Sequence, residues 1–300
     1  MTYILYNPQA GGGKHQTALE MLEKRLEGEI KPLDVTSITN YSTFLSGLEK
    51  EDTILIAGGD GTLNCFINAV SGLVIPQDIL YFPAGSGNDF AHEIGLTEEN
   101  APVSIKKYVQ KLPTVTVSGN TYRFLNGVGY GIDGYVCEEG DRIRKKTGKP
   151  INYTGTAVKG LLGAYKQTHA TVTVDGETME FDHVWMTPTM LGRFFGGGMM
   201  CAPGQDRLNM EGTVSLMVMR CRSKLRTLLL FPAIFKGNHV KKTKIVSVFK
   251  GHEMTVRFDR PTALQIDGEV YSGVTEYTVT TAKAEGRMGA FEKAEIADKI

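Results

Sequence analysis

Three times in its first hundred residues the chain uses one device: an apolar run stops at a glycine-bearing turn, and a helix-period segment follows. The clearest copy is Thr53-Ile54-Leu55-Ile56-Ala57, which runs into Gly58-Gly59-Asp60-Gly61, after which Leu63, Phe66, Ile67 and Val70 recur at helical spacing. Residues 3–6 lead in the same way through Asn7-Pro8 and Gly11-Gly12-Gly13 into a helix marked by Ala18, Leu19, Leu22 and Leu26. Residues 79–82 break at Pro83 and pass through Gly85-Ser86-Gly87 to a short helix over 89–94. Strands alternating with helices predict a parallel α/β sheet. Glycine turns at the carboxyl ends of such strands lie on the edge where ligands bind.

From about residue 114 the texture changes. Short alternating segments (TVTVSGNTYRFLN, ATVTVDGETMEF, TVSLMVM, EMTVRF) are joined by glycine-containing turns and predict a mostly antiparallel β domain, interrupted by one helical stretch over 155–165. The expected fold is a Rossmann-like α/β nucleotide-binding domain over residues 1–118 and a β-sandwich-like domain over 119–284. Residues 285–300 match neither texture and are read as a tail that packs on the first domain or frays.

Composition narrows the classes. Apolar residues at 41% and charged residues at 22% supply a core and exclude general disorder. Thirty-three basic against thirty-three acidic side chains leave no net charge, which argues against a nucleic-acid binder. Cys65, Cys137, Cys201 and Cys221 form no C-x-x-C pair, so neither a disulfide framework nor a zinc site is expected. The opening MTYILYNPQAGGGK lacks a charged n-region, and the longest apolar stretch, residues 228–235, falls far short of the roughly 20 residues that span a bilayer. The expectation is a soluble, reduced, cytoplasmic protein.

The chemistry concentrates in the glycine turns. In Gly58-Gly59-Asp60-Gly61-Thr62-Leu63-Asn64, backbone N–H groups can approach a phosphate without Cβ obstruction, at the favourable end of a helix dipole. Asp60 is placed to reach a metal or phosphoryl group, and Thr62 and Asn64 offer donors; an ordinary Asp-Gly turn is the competing reading. Asn7-Pro8-Gln9-Ala10-Gly11 and the loop from Pro83 to Ala91 are equivalent turns. A Walker loop needs Ser or Thr after its lysine, and Lys14 is followed by His15.

Together these loops resemble the diacylglycerol kinase catalytic family, lipid kinases that include the soluble bacterial diacylglycerol kinases and the sphingosine kinases. The resemblance rests on Asn7-Pro8 with Gly11, on the segment from Gly58 to Asn64, and on Pro83-Ala84-Gly85-Ser86-Gly87-Asn88-Asp89-Phe90-Ala91. It continues in order through Phe124-Leu125-Asn126-Gly127, residues 196–199 with Ala202-Pro203, and Gln265-Ile266-Asp267-Gly268-Glu269. It implies an ATP-binding first domain and a second domain on the lipid side. Nucleotide contacts would come from Asn7, Pro8, Gln9, Ala10, Gly11, Thr36, Gly58, Gly59, Asp60, Gly61, Thr62, Leu63, Asn64 and Ser86. The implied reaction is phosphorylation of the diacylglycerol hydroxyl to phosphatidic acid. Asp60 with Mg²⁺ would align the γ-phosphate, and Asp267 or Glu269 would accept the proton. Asp175-Gly176-Glu177 repeats that last triplet inside an alternating segment and is read as a two-residue hairpin turn.

The chain also departs from the family. Relatives carry L-x-x-D-G-L, which holds Mg²⁺; here the run is Leu208-Asn209-Met210-Glu211-Gly212-Thr213. Glu adds a methylene, and Mg²⁺ demands near-ideal octahedral geometry. The resemblance implies ligands at Leu208, Glu211 and Thr213, with a plain surface turn as the equal alternative. Residues 220–244 hold eight basic and no acidic residues around the apolar stretch, which suits peripheral binding to an anionic membrane or a solvated face beside core residues. The basic cluster after Asp141 reads as a loop. Rival functions are a kinase of another hydroxyl lipid, an NAD kinase-like enzyme, and a silent nucleotide-binding regulator. The lipid substrate at the inner membrane surface is the expected partner, and a homodimer stays open.

Overall fold

The structure, a computed structural model, describes residues 1–8, 14–85, 87–147 and 153–283. The expectations for Gln9, Ala10, Gly11 and Ser86, and for the tail from residue 285, lie outside the described residues. The chain divides into two compact units, with the boundary between Leu112 and Pro113.

The first unit runs β1 (Thr2–Tyr6), α1 (Lys14–Arg25), β2 (Ile30–Asp34), α2 (Tyr41–Ser46), β3 (Thr53–Gly58), α3 (Asp60–Ala69), β4 (Asp78–Pro83), α4 (Asp89–Glu93), β5 (Val103–Ser104) and α5 (Lys106–Val109). The sheet order is β2-β1-β3-β4-β5, parallel except for β5. β3 lies between β1 and β4, and Ile54, Leu55 and Ile56 are fully buried, which is why it reads as an unbroken apolar run. Ala18 and Leu22 of α1 and Leu63, Phe66 and Ile67 of α3 are buried, as their spacing predicted. β2 was not expected. It contains Pro32, which lacks an N–H and is tolerated because the strand lies at the sheet edge.

The second unit runs β6 (Thr114–Val117), β7 (Asn120–Arg123), β8 (Gly127–Tyr130), α6 (Ile132–Thr147), α7 (Tyr153–Lys159) with a wider turn over Gly160–Ala164, and β9 (Thr168–Val174). There follow β10 (Glu177–Met186), β11 (Thr189–Met190), β12 (Phe194–Phe195), β13 (Met199–Met200), β14 (Val214–Arg220), α8 (Lys224–Ile234), β15 (Val246–Gly251), β16 (Glu253–Ile266) and β17 (Glu269–Thr280). The main sheet is antiparallel, ordered β7-β6-β17-β16-β8-β11-β14-β10-β9. β16 pairs with β9 through its first half and with β8 through its last residues, so the sheet curls until it closes on itself. A register shift between Arg257 and Thr262 supplies the bend. Trp185, Met186, Met217 and Met219 of the sheet pack with Ile132 of α6 and Leu230 of α8 in one core.

The basic cluster after Asp141 is helical through residue 147, within α6, rather than a loop. Its charges pair along the helix, Arg142 with Glu139 and Arg144 with Asp141, each three residues apart.

Candidate active site

In the first unit, β1 leads to β2 on one side and, by way of β2, the chain returns to β3 on the other. The strand order therefore reverses between β1 and β3. The crevice outside the carboxyl ends at such a switch point is where open α/β sheets hold ligands. Asn7 and Pro8 follow β1 there, and the Gly58–Asn64 turn follows β3. Thr36 follows β2 on the same edge, its Oγ1 donating to Asp34 Oδ1 at 2.7 Å.

The glycines of this edge divide into two groups. A Cβ on Gly85 would stand 2.3 Å from the Gly59 Cα, and one on Gly58 would stand 2.6 Å from the Thr62 Cβ. Gly85 and Gly59 let two loops pack backbone against backbone, and Gly58 makes room for the Thr62 side chain of its own loop. Gly61, in the first turn of α3, has nothing within 4 Å of its Cβ position. The cap of α3 is Gly59, which makes no side-chain capping bond. An uncapped helix N-terminus with open space beside it fits a phosphate. Thr62 and Asn64 are both buried, Thr62 packs against Gly58, and Asn64 Oδ1 accepts from Asn68 Nδ2 at 3.2 Å.

Asp60 has a binding role in the loop itself. Its Oδ2 accepts from the Asp89 N–H at 2.6 Å and its Oδ1 from the Phe90 N–H at 3.3 Å, so it caps α4. The Gly85 carbonyl accepts from Asn88 Nδ2 at 2.9 Å, and Asn88 Oδ1 is buried with no hydrogen-bond partner among the described residues. The Gly58 carbonyl accepts from Tyr81 Oη at 3.0 Å. Asp60 thus joins the two glycine loops through partners about thirty residues apart, a role no local spacing discloses.

In the second unit, both Asp-Gly-Glu triplets form the same turn. Asp175 and Gly176 have φ of 47° and 90°, and Asp267 and Gly268 have 46° and 96°. Two left-handed residues in succession make the hairpin turn expected of Asp-Gly. Each aspartate caps backbone amides: Asp175 Oδ1 accepts from His252 and Glu253, both at 2.8 Å. Asp267 Oδ1 accepts from Asn126 at 2.8 Å and Gly127 at 3.0 Å, while Oδ2 accepts from Leu125. Gln265, within the triplet's context, accepts from the Gly268 N–H at 2.7 Å. Asp267 is therefore spent on holding Leu125-Asn126-Gly127, and Glu269, exposed at the start of β17, is the carboxylate left open.

Two residues escaped the sequence reading. Arg207 donates to the Leu125 carbonyl at 3.0 Å and to Asn126 Oδ1 at 3.1 Å, holding the same segment. Asp133, at the start of α6, is buried, and among the described residues neither carboxylate oxygen has a hydrogen-bond partner of normal geometry. Burial pushes its carboxyl up to about 7, and the nearby Gly134 and Asp133 amides only partly offset this. Its signal in the sequence is an acid set among glycines and apolar residues, Gly129-Tyr130-Gly131-Ile132-Asp133-Gly134.

The expected Mg²⁺ ligands do not fit. The Thr213 carbonyl already accepts from Gln205 Nε2 and Asn209 Nδ2, both at 2.9 Å, and the Thr213 N–H donates to Asn209 Oδ1. Leu208 and Glu211 are exposed, and the Leu208 N–H donates to Asp206 Oδ1. Asn209 knits this turn shut where a hard cation would need open oxygens. Among the described residues no three His, Cys, Asp or Glu side chains could hold a metal.

Residues 1–117 match the diacylglycerol kinase catalytic domain, and residues 126–283 match the YegS C-terminal NAD kinase beta sandwich-like domain. The chain belongs to the diacylglycerol kinase catalytic-domain family. Diacylglycerol kinase of Mycobacterium tuberculosis strain H37Rv is 27% identical over 202 residues, 65% of this chain and 63% of that protein's own length. Diacylglycerol kinase of Bacillus subtilis strain 168 is 24% identical over 283 residues, 90% of each chain. A solved structure from Bacillus anthracis str. Sterne shares the fold with a TM-score of 0.68 at 20% identity, covering 97% of this chain and 93% of that one. No helix among the described residues is long and apolar enough to cross a membrane.

Proposed function

We propose that this protein transfers a phosphoryl group from ATP to the free hydroxyl of diacylglycerol, giving phosphatidic acid. The observation that carries the reading is the division of labour at Asp267-Gly268-Glu269. Asp267 is saturated by three backbone amides and Glu269 is left exposed. A base for a hydroxyl must have its own lone pairs free and must sit on rigid backbone. Glu269 meets both conditions and takes the hydroxyl proton. Asp267, Gln265 and Arg207 hold the turn and the Leu125–Gly127 segment in place.

In the first unit the α3 amides, with Asn7, Pro8 and Thr36 on the same sheet edge, would hold the triphosphate, and Asp60 would fix the two loops that carry these amides. Bound ATP supplies the phosphoryl group that is transferred. The names of the curated relatives support diacylglycerol as the acceptor. Another hydroxyl lipid is the second reading, because acyl-chain recognition leaves no motif. Incubation with radiolabelled ATP and a panel of diacylglycerol, ceramide, sphingoid base and NAD decides among them. Labelled phosphatidic acid is the expected product. Label in NAD or in another lipid alone would overturn the assignment.

A further inference from the structure

α8 has apolar residues on two faces. Thr227, Leu230, Phe231 and Ile234 are buried against the second unit's core, the normal stripe for a packed helix. On the opposite side Leu225 and Leu229 are 66% and 73% exposed, and Pro232 continues their line. Leu162, 62% exposed, lies in the 160–164 turn, which packs beside α8, with the Gly163 Cβ position 4.0 Å from Lys224 Nζ. Leucines more than half exposed on one helix face, with a third on the adjoining turn, are costly to keep in water.

The charges around this patch are also placed against the helix's own interest. A helix N-terminus favours acids, yet the first turn of α8 carries Lys224 and Arg226 and no acid, and Arg222 precedes it. Lys236 follows the helix, and the whole of 220–244 lacks an acidic residue. Cations that the helix dipole disfavours, ringed about exposed leucines, complement a surface that is negative outside and apolar beneath.

We infer that the outward stripe of α8, with Leu162, is the docking surface by which this protein seats itself on an anionic lipid bilayer. The leucines enter the acyl boundary, and Arg222, Lys224, Arg226 and Lys236 lie at the headgroups. This deepens the lipid kinase reading and rests on it for purpose, since an insoluble acceptor requires work at a bilayer surface. Docking itself can be measured without turnover.

Co-sedimentation with vesicles of phosphatidylcholine, alone or mixed with phosphatidylglycerol, in the absence of ATP and diacylglycerol, tests it over a salt series. The wild type is expected to bind the mixed vesicles and to weaken as salt rises. L225Q/L229Q should lower the partition coefficient at least about tenfold at every salt concentration. K224Q/R226Q should weaken binding at low salt and flatten the salt dependence. All four side chains are exposed, so both variants should melt with the wild type and keep turnover on a short-chain, water-soluble diacylglycerol. Binding indifferent to phosphatidylglycerol, or undiminished in L225Q/L229Q, overturns the inference. So does a wild-type dimer that L225Q/L229Q converts to monomer with vesicle binding unchanged, since the patch would then belong to a second copy. If the wild type itself turns over no short-chain diacylglycerol, the acceptor assignment fails while the vesicle result still decides the surface.

Discussion

Asp267→Asn separates holding from catalysis. The Oδ1 position takes two amides, from Asn126 and Gly127, and Oδ2 takes the third, from Leu125. Asparagine tolerates the left-handed backbone at φ 46°, so the turn itself is not strained by the change. Its single oxygen can keep the Oδ1 pair, but its NH₂ then faces the Leu125 N–H, donor against donor. A stranded amide costs about 1–3 kcal/mol, and loss of charge from the other two bonds adds about 1 kcal/mol each. The sum is roughly 3–5 kcal/mol, or a melting temperature lower by roughly 10 °C for a unit of this size. Asp175→Asn is the control: one oxygen takes both of its amides, so that variant should lose about 1 kcal/mol or less. Glu269→Gln, at an exposed position, should stay within about 0.5 kcal/mol of the wild type and yet lose roughly 10²–10⁴-fold in turnover. Glu177→Gln should change neither. Thermal melts by circular dichroism with parallel turnover assays read all four. Equal melting of the two aspartate variants would refute the capping argument, and an active Glu269→Gln would refute the base.

Asp60→Asn should cost roughly 1–2 kcal/mol by weakening the cap on α4, and should cut turnover by about two orders of magnitude or more; near-normal turnover contradicts its role in fixing the loops. Gly85→Ala should destabilise by roughly 2 kcal/mol because its Cβ would stand 2.3 Å from the Gly59 Cα, whereas Gly61→Ala, in open space, should gain up to about 1 kcal/mol while weakening ATP affinity in a nucleotide titration. Loss of stability in Gly61→Ala, or unchanged ATP affinity, would count against the phosphate cradle. Asp133 has a folded-state value of about 7, above its ordinary 3.8, so the folded chain holds the proton more tightly. Stability from that proton is full below about pH 4 and is lost as pH rises toward 7. Asp133→Asn should remove this slope and melt above the wild type at pH 8; parallel melting curves from pH 4.5 to 8 would contradict the burial argument.

The parts of the fold that could be read in advance are those whose environment leaves a pattern in consecutive residues. β3 is buried on both faces and so runs apolar without a break. β2 escaped because Pro32 and Lys31 belong to an edge strand with one open face. α6 escaped because its first turns mix glycine with buried acid and its last turns are almost all charged, so no clean helical stripe survives. At the site, the glycine turns and the later Asp-Gly-Glu were legible as motifs. Their division of labour was not, because each key partner is distant: Asp60 is answered by Asp89 and Phe90, and Asp267 by a segment about 140 residues earlier. The two Asp-Gly-Glu turns are locally the same, down to their backbone angles. What separates them is the strand end each one clasps, which is long-range information. The supposed metal run failed for a similar reason, since nothing in its spacing reveals that Asn209 and Gln205 already occupy the Thr213 carbonyl.

The central claim is that Glu269 serves as the base in phosphoryl transfer to diacylglycerol. Its most direct test is the initial rate of labelled phosphatidic acid formation from radiolabelled ATP and micellar diacylglycerol, compared between wild type and Glu269→Gln across pH. The wild type should form the product, and the variant should lose at least about a hundredfold while melting at the wild-type temperature. A wild type that labels no diacylglycerol, or a variant whose rate equals the wild type's at every pH, would contradict the account.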